Sequence, residues 1–183
     1  MKNIVVFYHG HCPDGFGGAY AAWKKFGSRA EYIPLEHGKS MPIFPMGKEV
    51  YFIDIVAPEP ELMSLIRANR RVTAIDHHIS VAHLVKRTTN YAYARNHSGA
   101  VLAWHYFQSF KKMPRLLLHI EDEDLYKFKT AYTREICAML EILPHDFKIW
   151  DKFIKQVDNL NERKKIITKG SLVLRYRNTL IED

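Results

Sequence analysis

Residues 72–78 read VTAIDHH, a β-branched and apolar run that ends in a carboxylate followed by two imidazoles. Such a run predicts a strand that is buried on both faces, as in a parallel sheet covered by helices. In open α/β sheets, ligands bind beyond the carboxyl ends of the strands. We therefore expect the polar triplet Asp76, His77 and His78 to lie where the chemistry of such a sheet takes place.

Two other apolar runs in the first half of the chain end in the same manner. Residues 4–8 (IVVFY) lead into HGHCPDG at 9–15, and residues 50–53 (VYFI) lead into Asp54. Burying titratable groups at strand ends is costly unless they are paired or coordinate a metal. Because parallel strands end at one edge of the sheet, these acids and imidazoles are expected to meet there. We interpret them as the metal site of a metallohydrolase.

The composition is that of a folded protein, with 47% hydrophobic and 26% charged residues in a chain of 183. The formal net charge of +7 and the pI near 9.3 favour partners that carry phosphate. For the basic run at 163–177, a solvated helix face is favoured over a nucleic-acid surface. Two cysteines are too few for a disulfide framework, and no apolar run is long enough for a membrane span. The expected location is the cytoplasm, since no signal-peptide core follows Met1.

The spacing of apolar residues changes near the middle of the chain. In the first half, strands alternate with helices, which predicts a parallel sheet with right-handed crossovers. From Ser98 onward the apolar spacing becomes helical. The expected fold class is α/β, with a parallel sheet and helices on both faces in residues 1–95 and a mostly helical portion in 96–183. Strands are predicted at 4–8, 31–35, 50–53 and 72–75, with an edge strand near Tyr91 and Tyr93, and helices at 16–26, 59–69, 100–110, 115–128, 134–143, 146–157 and 162–180.

Four short motifs carry a resemblance to a known family: CPDG at 12–15, FID at 52–54, DHH at 76–78 and IED at 120–122. In this order and spacing they resemble the four motifs of the DHH phosphoesterase superfamily. Nearly the whole chain resembles the poorly characterised bacterial, archaeal and phage phosphohydrolases of that superfamily. The resemblance implies a single Rossmann-like DHH domain over residues 1–183, which ends in a connector helix and lacks the C-terminal DHHA1 domain.

The resemblance also implies a centre of two divalent ions, usually manganese, with Mg²⁺ as the alternative. A water activated by two such ions would attack phosphorus in line with the leaving group. The implied ligands are a motif-one His and Asp, a bridging motif-two Asp, the first His of DHH and a motif-four Asp, which here are His9, Asp14, Asp54, His77 and Asp122.

Three further residues receive roles from the same resemblance. His78 would face the phosphoryl oxygens as a catalytic residue. Asp76 would orient an imidazole of the site without binding the metal itself. Cys12 stands where the family pattern has the first Asp of a D-x-D. A thiolate there is a poor ligand for a hard ion such as Mn²⁺, so the centre would hold either one ion or two.

Backbone donors at two helix starts are candidates for binding the substrate phosphate. Gly15 follows the first strand, and Ser98 and Gly99 precede a helical pattern, so their N–H groups would be placed at a helix N-terminus. The alternatives are an ordinary polar turn around Gly15 and helix capping by Ser98.

Together these features predict a cytoplasmic, manganese-dependent phosphoesterase. Its expected substrate is a phosphodiester or phosphomonoester of a nucleotide or of a short single-stranded nucleic acid, and no membrane partner is expected. A homodimer is compatible with the sequence. Two alternatives stay open at this point: a non-catalytic nucleotide or nucleic-acid binding module with a degenerate metal site, and a pyrophosphatase or polyphosphatase.

Overall fold

The structure, a computed structural model, describes residues 2–182, within which five strands form one parallel sheet. Its strand order is β2-β1-β3-β4-β5. The strands are β1 (Ile4–His9), β2 (Ala30–Leu35), β3 (Glu49–Ile53), β4 (Arg71–Asp76) and β5 (Asn90–Tyr93). The α/β class and the parallel sheet predicted from the alternating pattern are confirmed, and β5 is the expected edge strand.

Helices cover both faces of this sheet, as predicted. They are α1 (Pro13–Phe26), α2 (Glu59–Ala68), α3 (Ala82–Val85) and α4 (Gly99–Gln108). On one face, Leu62 and Leu65 of α2 join Phe7 and Phe52 in a buried cluster. Full burial of each such side chain contributes about 1.5–3 kcal/mol.

The opposite face is covered by α1 and α4, which approach each other and the sheet closely. A Cβ placed on Gly18 of α1 would lie 2.3 Å from Ile53 Cγ2 and 3.5 Å from Ala103 Cβ of α4. Only glycine fits this meeting point of two helices and a strand. The structure thus forms a helix layer on each side of a Rossmann-like sheet.

The order of the strands creates a crevice at one edge. From β1 the chain first moves outward to β2 and then returns to place β3 on the other side of β1. Loops that leave the carboxyl ends of β1 and β3 therefore run in opposite directions, which is the point at which open α/β sheets bind ligands.

The chain divides into two compact units after Lys111. The helix α4 packs against α1 and belongs to the first unit together with the sheet. The second unit begins at Lys112 and contains α5 (Arg115–Asp124), α6 (Thr133–Glu141), α7 (Phe147–Asp158) and α8 (Leu160–Glu182). None of the helices within residues 2–182 is both long enough and apolar enough to cross a bilayer.

The largest difference between predicted and observed boundaries is the end of α5. Apolar spacing predicted a helix to residue 128, whereas α5 ends at Asp124. The backbone is left-handed at Tyr126 and Phe128, with φ of 53° and 45°, and this conformation cannot continue an α-helix. The carboxylate of Asp122 accepts hydrogen bonds from the backbone N–H groups of Lys129 and Thr130, which fixes the turn.

Candidate metal centre

The register of the sheet brings three strand ends to the same level. Tyr8 of β1 pairs with Ile53 of β3, and Ile53 pairs with Ile75 of β4. The residues that follow these three positions therefore lie at the same edge of the sheet; they are His9, Asp54 and Asp76. The convergence predicted from the apolar runs is thus a direct result of in-register parallel pairing.

Asp54 is the centre of the cluster and is only 2% exposed. Its Oδ2 atom lies 3.4 Å from His9 Nδ1, and its Oδ1 atom lies 3.3 Å from His77 Nε2 and 3.7 Å from His78 Nδ1. No donor within residues 2–182 forms a hydrogen bond of proper geometry with Oδ1. A buried carboxylate oxygen that faces imidazole nitrogens in this way is well suited to bind a cation.

The charge of Asp54 follows from opposing effects. Burial alone would raise the pKa of its carboxyl group, but the contacts with His77 and His9 and the positive charge of His78 lower it below its usual value. Asp54 is therefore a carboxylate at neutral pH, which is the form that binds a metal.

The backbone of Asp54 is itself strained. Its φ is 58°, in the left-handed region that residues other than glycine seldom adopt. Its N–H still donates to the carbonyl of Ile75, 2.9 Å away, so the residue stays attached to β4. Strained residues of this kind gather at functional sites, where the fold holds them in place.

Two groups of three potential ligands share Asp54. His9, Cys12 and Asp54 form one group, and Asp54, His77 and His78 form the other. Within each group, the ligand atoms all lie within 4.8 Å of one another. Two adjoining sites with a common carboxylate are the arrangement that a pair of divalent ions needs. The donor set and the unpartnered Oδ1 atom of Asp54 fit the two-ion centre that the resemblance implies.

Asp76 and His78 form a separate contact beside Asp54. Both the backbone N–H and Nδ1 of His78 lie within hydrogen-bonding distance of Asp76 Oδ1, at 2.8 and 2.9 Å. The hydrogen bond from the ring raises the pKa of His78. Because Nδ1 donates to Asp76, Nε2 of this half-exposed imidazole is the nitrogen that is left for a ligand. The predicted orienting role of Asp76 therefore has a geometric basis, with His78 as the oriented ring.

Asp14 connects the first turn of α1 to the start of α4. Its two oxygens accept hydrogen bonds from the N–H groups of Gly99 and Ala100, at 2.6 and 2.9 Å. Its Oδ2 atom also lies 3.8 Å from His77 Nε2. A Cβ on Gly99 would be 2.8 Å from Asp54 Cβ, so glycine is required for α4 to approach the two carboxylates.

The residues predicted to bind the substrate phosphate have other contacts in the structure. The N–H of Gly99 donates to Asp14, and Ser98 Oγ accepts from the N–H of Val101 at 3.4 Å. For Ser98, the structure therefore shows the capping alternative. A Cβ on Gly15 would lie 2.3 Å from the carbonyl oxygen of His9, so this glycine allows α1 to pack closely on β1.

Asp122, the predicted motif-four ligand, lies in the second unit. Its Oδ1 atom accepts from the N–H of Lys129 at 2.8 Å, and its Oδ2 atom accepts from Thr130 N and Thr133 Oγ1 at 3.0 and 2.7 Å. Burial raises its pKa, but these hydrogen bonds outweigh burial and lower it. Asp122 therefore organises the turn after α5, and its part in the metal centre stays a prediction.

His37 is a residue of this edge that sequence reasoning missed. It follows β2, and its ring centre lies 4.8 Å from that of His9. Nearby, His11 Nε2 lies 3.6 Å from a carboxylate oxygen of Glu36. The signal was present in the sequence, because residues 31–35 were predicted as a strand and the polar residues Glu36 and His37 come directly after it.

A cavity of about 400 Å³ opens beside His37, between the segments that follow β2 and β3. Its volume is within the range of small-molecule sites. His37 and Glu36 line it together with apolar residues of the adjoining loops and of α3, which include Leu35, Met41, Ile55, Val56, Val81 and Leu84.

Cys12 precedes α1 and is partly buried. Burial, and then the negative charge of Asp54, raise the pKa of its thiol to about 12. In the metal-free protein at neutral pH the group is therefore a thiol. A bound cation would replace its proton, since metal ligation deprotonates a thiol.

Comparisons with known proteins give relatives without assigned activity. No family model matches the chain. The chain is 29% identical over 196 aligned positions to the uncharacterized protein R106 of Acanthamoeba polyphaga mimivirus, and the match covers 97% of this chain and 45% of the viral protein. A crystal structure of an uncharacterized protein from Helicobacter pylori G27 matches with a TM-score of 0.67 at 12% identity, covering 94% of this chain and 62% of that one. The chain thus spans less than half of the viral relative, and the structural match shows a shared fold.

Proposed function

We propose that this protein is a metal-dependent phosphoesterase of the DHH type, which hydrolyses a phosphodiester or phosphomonoester bond of a nucleotide or of a short single-stranded nucleic acid. The observation that carries the proposal is the surroundings of Asp54. A buried, ionised carboxylate lies 3.3–3.7 Å from nitrogens of three imidazoles and belongs to two adjoining groups of potential metal ligands.

The residues of the site divide into holding and orienting roles. His9 and Asp54 would hold one divalent ion, and Asp54 and His77 the other, with Mn²⁺ suited to carboxylate and imidazole ligands. When bound, such a pair lowers the pKa of water and withdraws charge from a phosphoryl oxygen. Asp14 keeps the N-terminus of α4 against the site through the N–H groups of Gly99 and Ala100.

His78 is the residue best placed to act on the substrate itself. Asp76 fixes its Nδ1, and its raised pKa favours the imidazolium form over a wider pH range than for an ordinary histidine. An imidazolium Nε2–H would donate a hydrogen bond to a phosphoryl oxygen or give a proton to the leaving oxygen. Loss of Asp76 would remove that orientation without removing the imidazole.

The cavity beside His37 supports a substrate with an organic group. Inorganic pyrophosphate and polyphosphate have no apolar part to fill a space of about 400 Å³ lined by Ile55, Val56 and Leu84. A nucleoside has both a flat apolar base and polar edges, which suit the mixed lining. This observation favours nucleotide esters over the pyrophosphatase alternative.

The test is hydrolysis by metal-stripped protein before and after addition of Mn²⁺. The substrates are a bis-aryl phosphodiester, short oligonucleotides, a cyclic dinucleotide, adenosine bisphosphate, pyrophosphate and polyphosphate. We expect Mn²⁺-dependent turnover of at least one nucleotide ester and loss of about 10²-fold or more in the Asp54→Asn variant. Folded, metal-loaded protein that hydrolyses none of them would contradict the proposal, and turnover restricted to pyrophosphate or polyphosphate would replace it with the pyrophosphatase function.

Metal stoichiometry tests the binding-module alternative separately. Two ions bound per chain at equilibrium support the enzyme. No bound ion, together with oligonucleotide binding that weakens steeply with salt, would show that the site serves as a binding surface.

A further inference from the structure

We propose that Cys12 is a thiolate ligand, which makes one of the two metal positions selective for Zn²⁺, Co²⁺ or Fe²⁺ over Mn²⁺. The inference rests on the proposed two-ion centre and specifies the metal of one of its halves. It gives the centre two chemically different positions, of which only the one that contains Cys12 has sulfur.

The geometry places the thiol in a group of three ligands. The Cys12 Sγ atom and ligand atoms of His9 and Asp54 all lie within 4.8 Å of one another, and His9 Nδ1 is 3.4 Å from Asp54 Oδ2. Asp54 is 98% buried, and its Oδ1 atom lacks a hydrogen-bond partner among the described residues. The cluster therefore contains a thiol, an imidazole nitrogen and one oxygen of a buried carboxylate, whose other oxygen, Oδ1, faces His77 in the second position.

The second position has a different character. Asp54 and His77 supply oxygen and nitrogen, which suit Mn²⁺ as well as Zn²⁺. In the position of His9, Cys12 and Asp54, one ligand is sulfur, and thiolates favour borderline and soft ions. Three protein ligands of this mixed type are the usual number in a catalytic zinc site, which keeps a fourth position for water or substrate.

Binding requires the exchange of one proton for one metal bond. The Cys12 S–H bond breaks, its proton goes to solvent, and the sulfur lone pair forms the bond to the divalent ion. No electron is transferred, so neither an oxidant nor a reductant is needed. Cys12 is the N-cap residue of the Pro13–Phe26 helix, and its side chain makes no capping hydrogen bond there.

The experiment is a Co²⁺ titration of the metal-stripped full chain, followed by absorbance. A sulfur–cobalt bond produces an intense charge-transfer band in the near ultraviolet that nitrogen and oxygen ligands do not. The chain has two cysteines, and Cys137 is buried at 1% exposure in the second unit, so it provides a matched control. We expect the band in the wild type and in Cys137→Ala, and its loss in Cys12→Ser.

A second variant tests the proposal by metal preference rather than by loss of the charge-transfer band. Cys12→Asp replaces sulfur with a hard ligand, and the ratio of Zn²⁺ to Mn²⁺ affinity at this position should fall at least about tenfold. Circular dichroism of each variant shows whether it is folded. Cobalt bound to folded wild type without a charge-transfer band, or a band that persists in Cys12→Ser, would overturn the proposal.

The outcome separates this proposal from the proposed function. Phosphoester turnover without a sulfur–cobalt band would leave the phosphoesterase intact and refute the thiolate ligand. A band without turnover of any phosphoester would support the thiolate site and refute the enzyme.

Discussion

The Asp54→Asn substitution tests the metal centre by thermal stability, without any substrate. Asn has the same shape as Asp but no charge, and Asp54 belongs to both groups of potential ligands. The substitution therefore weakens both metal positions at once while leaving the packing against α4 nearly unchanged.

The size of the effect follows from linkage. At a free Mn²⁺ concentration of about 100 times Kd, binding to the native state alone stabilises it by about 2.7 kcal/mol. In a chain of this length, 1 kcal/mol corresponds to about 2–4 °C, so the Tm of the wild type should rise by about 5–11 °C. If the substitution weakens binding about 100-fold, the same Mn²⁺ concentration supplies only about 0.4 kcal/mol and a shift of about 1–2 °C.

The assay is a thermal melt of metal-stripped protein with and without Mn²⁺, read by circular dichroism. Asp146→Asn is the matched control, because it also removes one carboxylate but keeps a good cap for the N–H groups of Lys148 and Ile149. It should keep the full wild-type shift. An Asp54→Asn protein that Mn²⁺ stabilises as much as the wild type would refute the central role given to this carboxylate.

Three further predictions concern stability and substrate choice. Burial lowers the pKa of His119 to about 4 from an ordinary value of about 6.5, so between these values the unfolded chain binds a proton that the native protein does not. The contribution of His119 to stability is therefore fully present above about pH 6.5 and is lost as the pH falls toward 4. Urea unfolding at pH 5 should show a loss of about 2 kcal/mol from this group. An equal pH dependence of stability in His119→Gln would contradict this prediction. Gly18→Ala places a Cβ 2.3 Å from Ile53 Cγ2 and should lower the free energy of unfolding by about 1–3 kcal/mol, whereas an unchanged denaturation midpoint would show that the helix and strand can move apart. Val56→Phe reduces the cavity beside His37 and should raise KM several-fold for a nucleotide ester but not for a small aryl phosphodiester; equal KM changes for both substrates would mean that the cavity does not hold the nucleoside.

The sheet and the core of the metal site could be predicted from the sequence because both depend on local patterns. Apolar runs marked the first four strands of the chain to within one residue at each end, and the polar endings of β1, β3 and β4 placed His9, Asp54 and Asp76 at one edge. In-register parallel pairing then brings these side chains together, since strand ends that are equivalent in register are neighbours in space.

The parts that could not be predicted depend on contacts between distant residues. The hydrogen bonds from Gly99 and Ala100 to Asp14 join positions 85 and 86 residues apart, and no local pattern reports them. The end of α5 depends on hydrogen bonds from the backbone N–H groups of Lys129 and Thr130 to the Asp122 carboxylate, which override a helical spacing that continues to Phe128. The helical spacing of α4 likewise does not reveal that this helix packs on α1 and belongs to the first unit.

Because the backbone of Asp54 is left-handed, a substitution that favours stability at this position would remove a residue that the activity needs. Glycine adopts a φ of 58° freely, whereas an aspartate there carries about 1–3 kcal/mol of strain. A library screened for heat resistance alone, in a chelating buffer, should therefore enrich glycine at position 54. Such variants would have a higher Tm but would no longer bind the metal. Directed evolution of this protein would need to keep metal or turnover in the selection at every round.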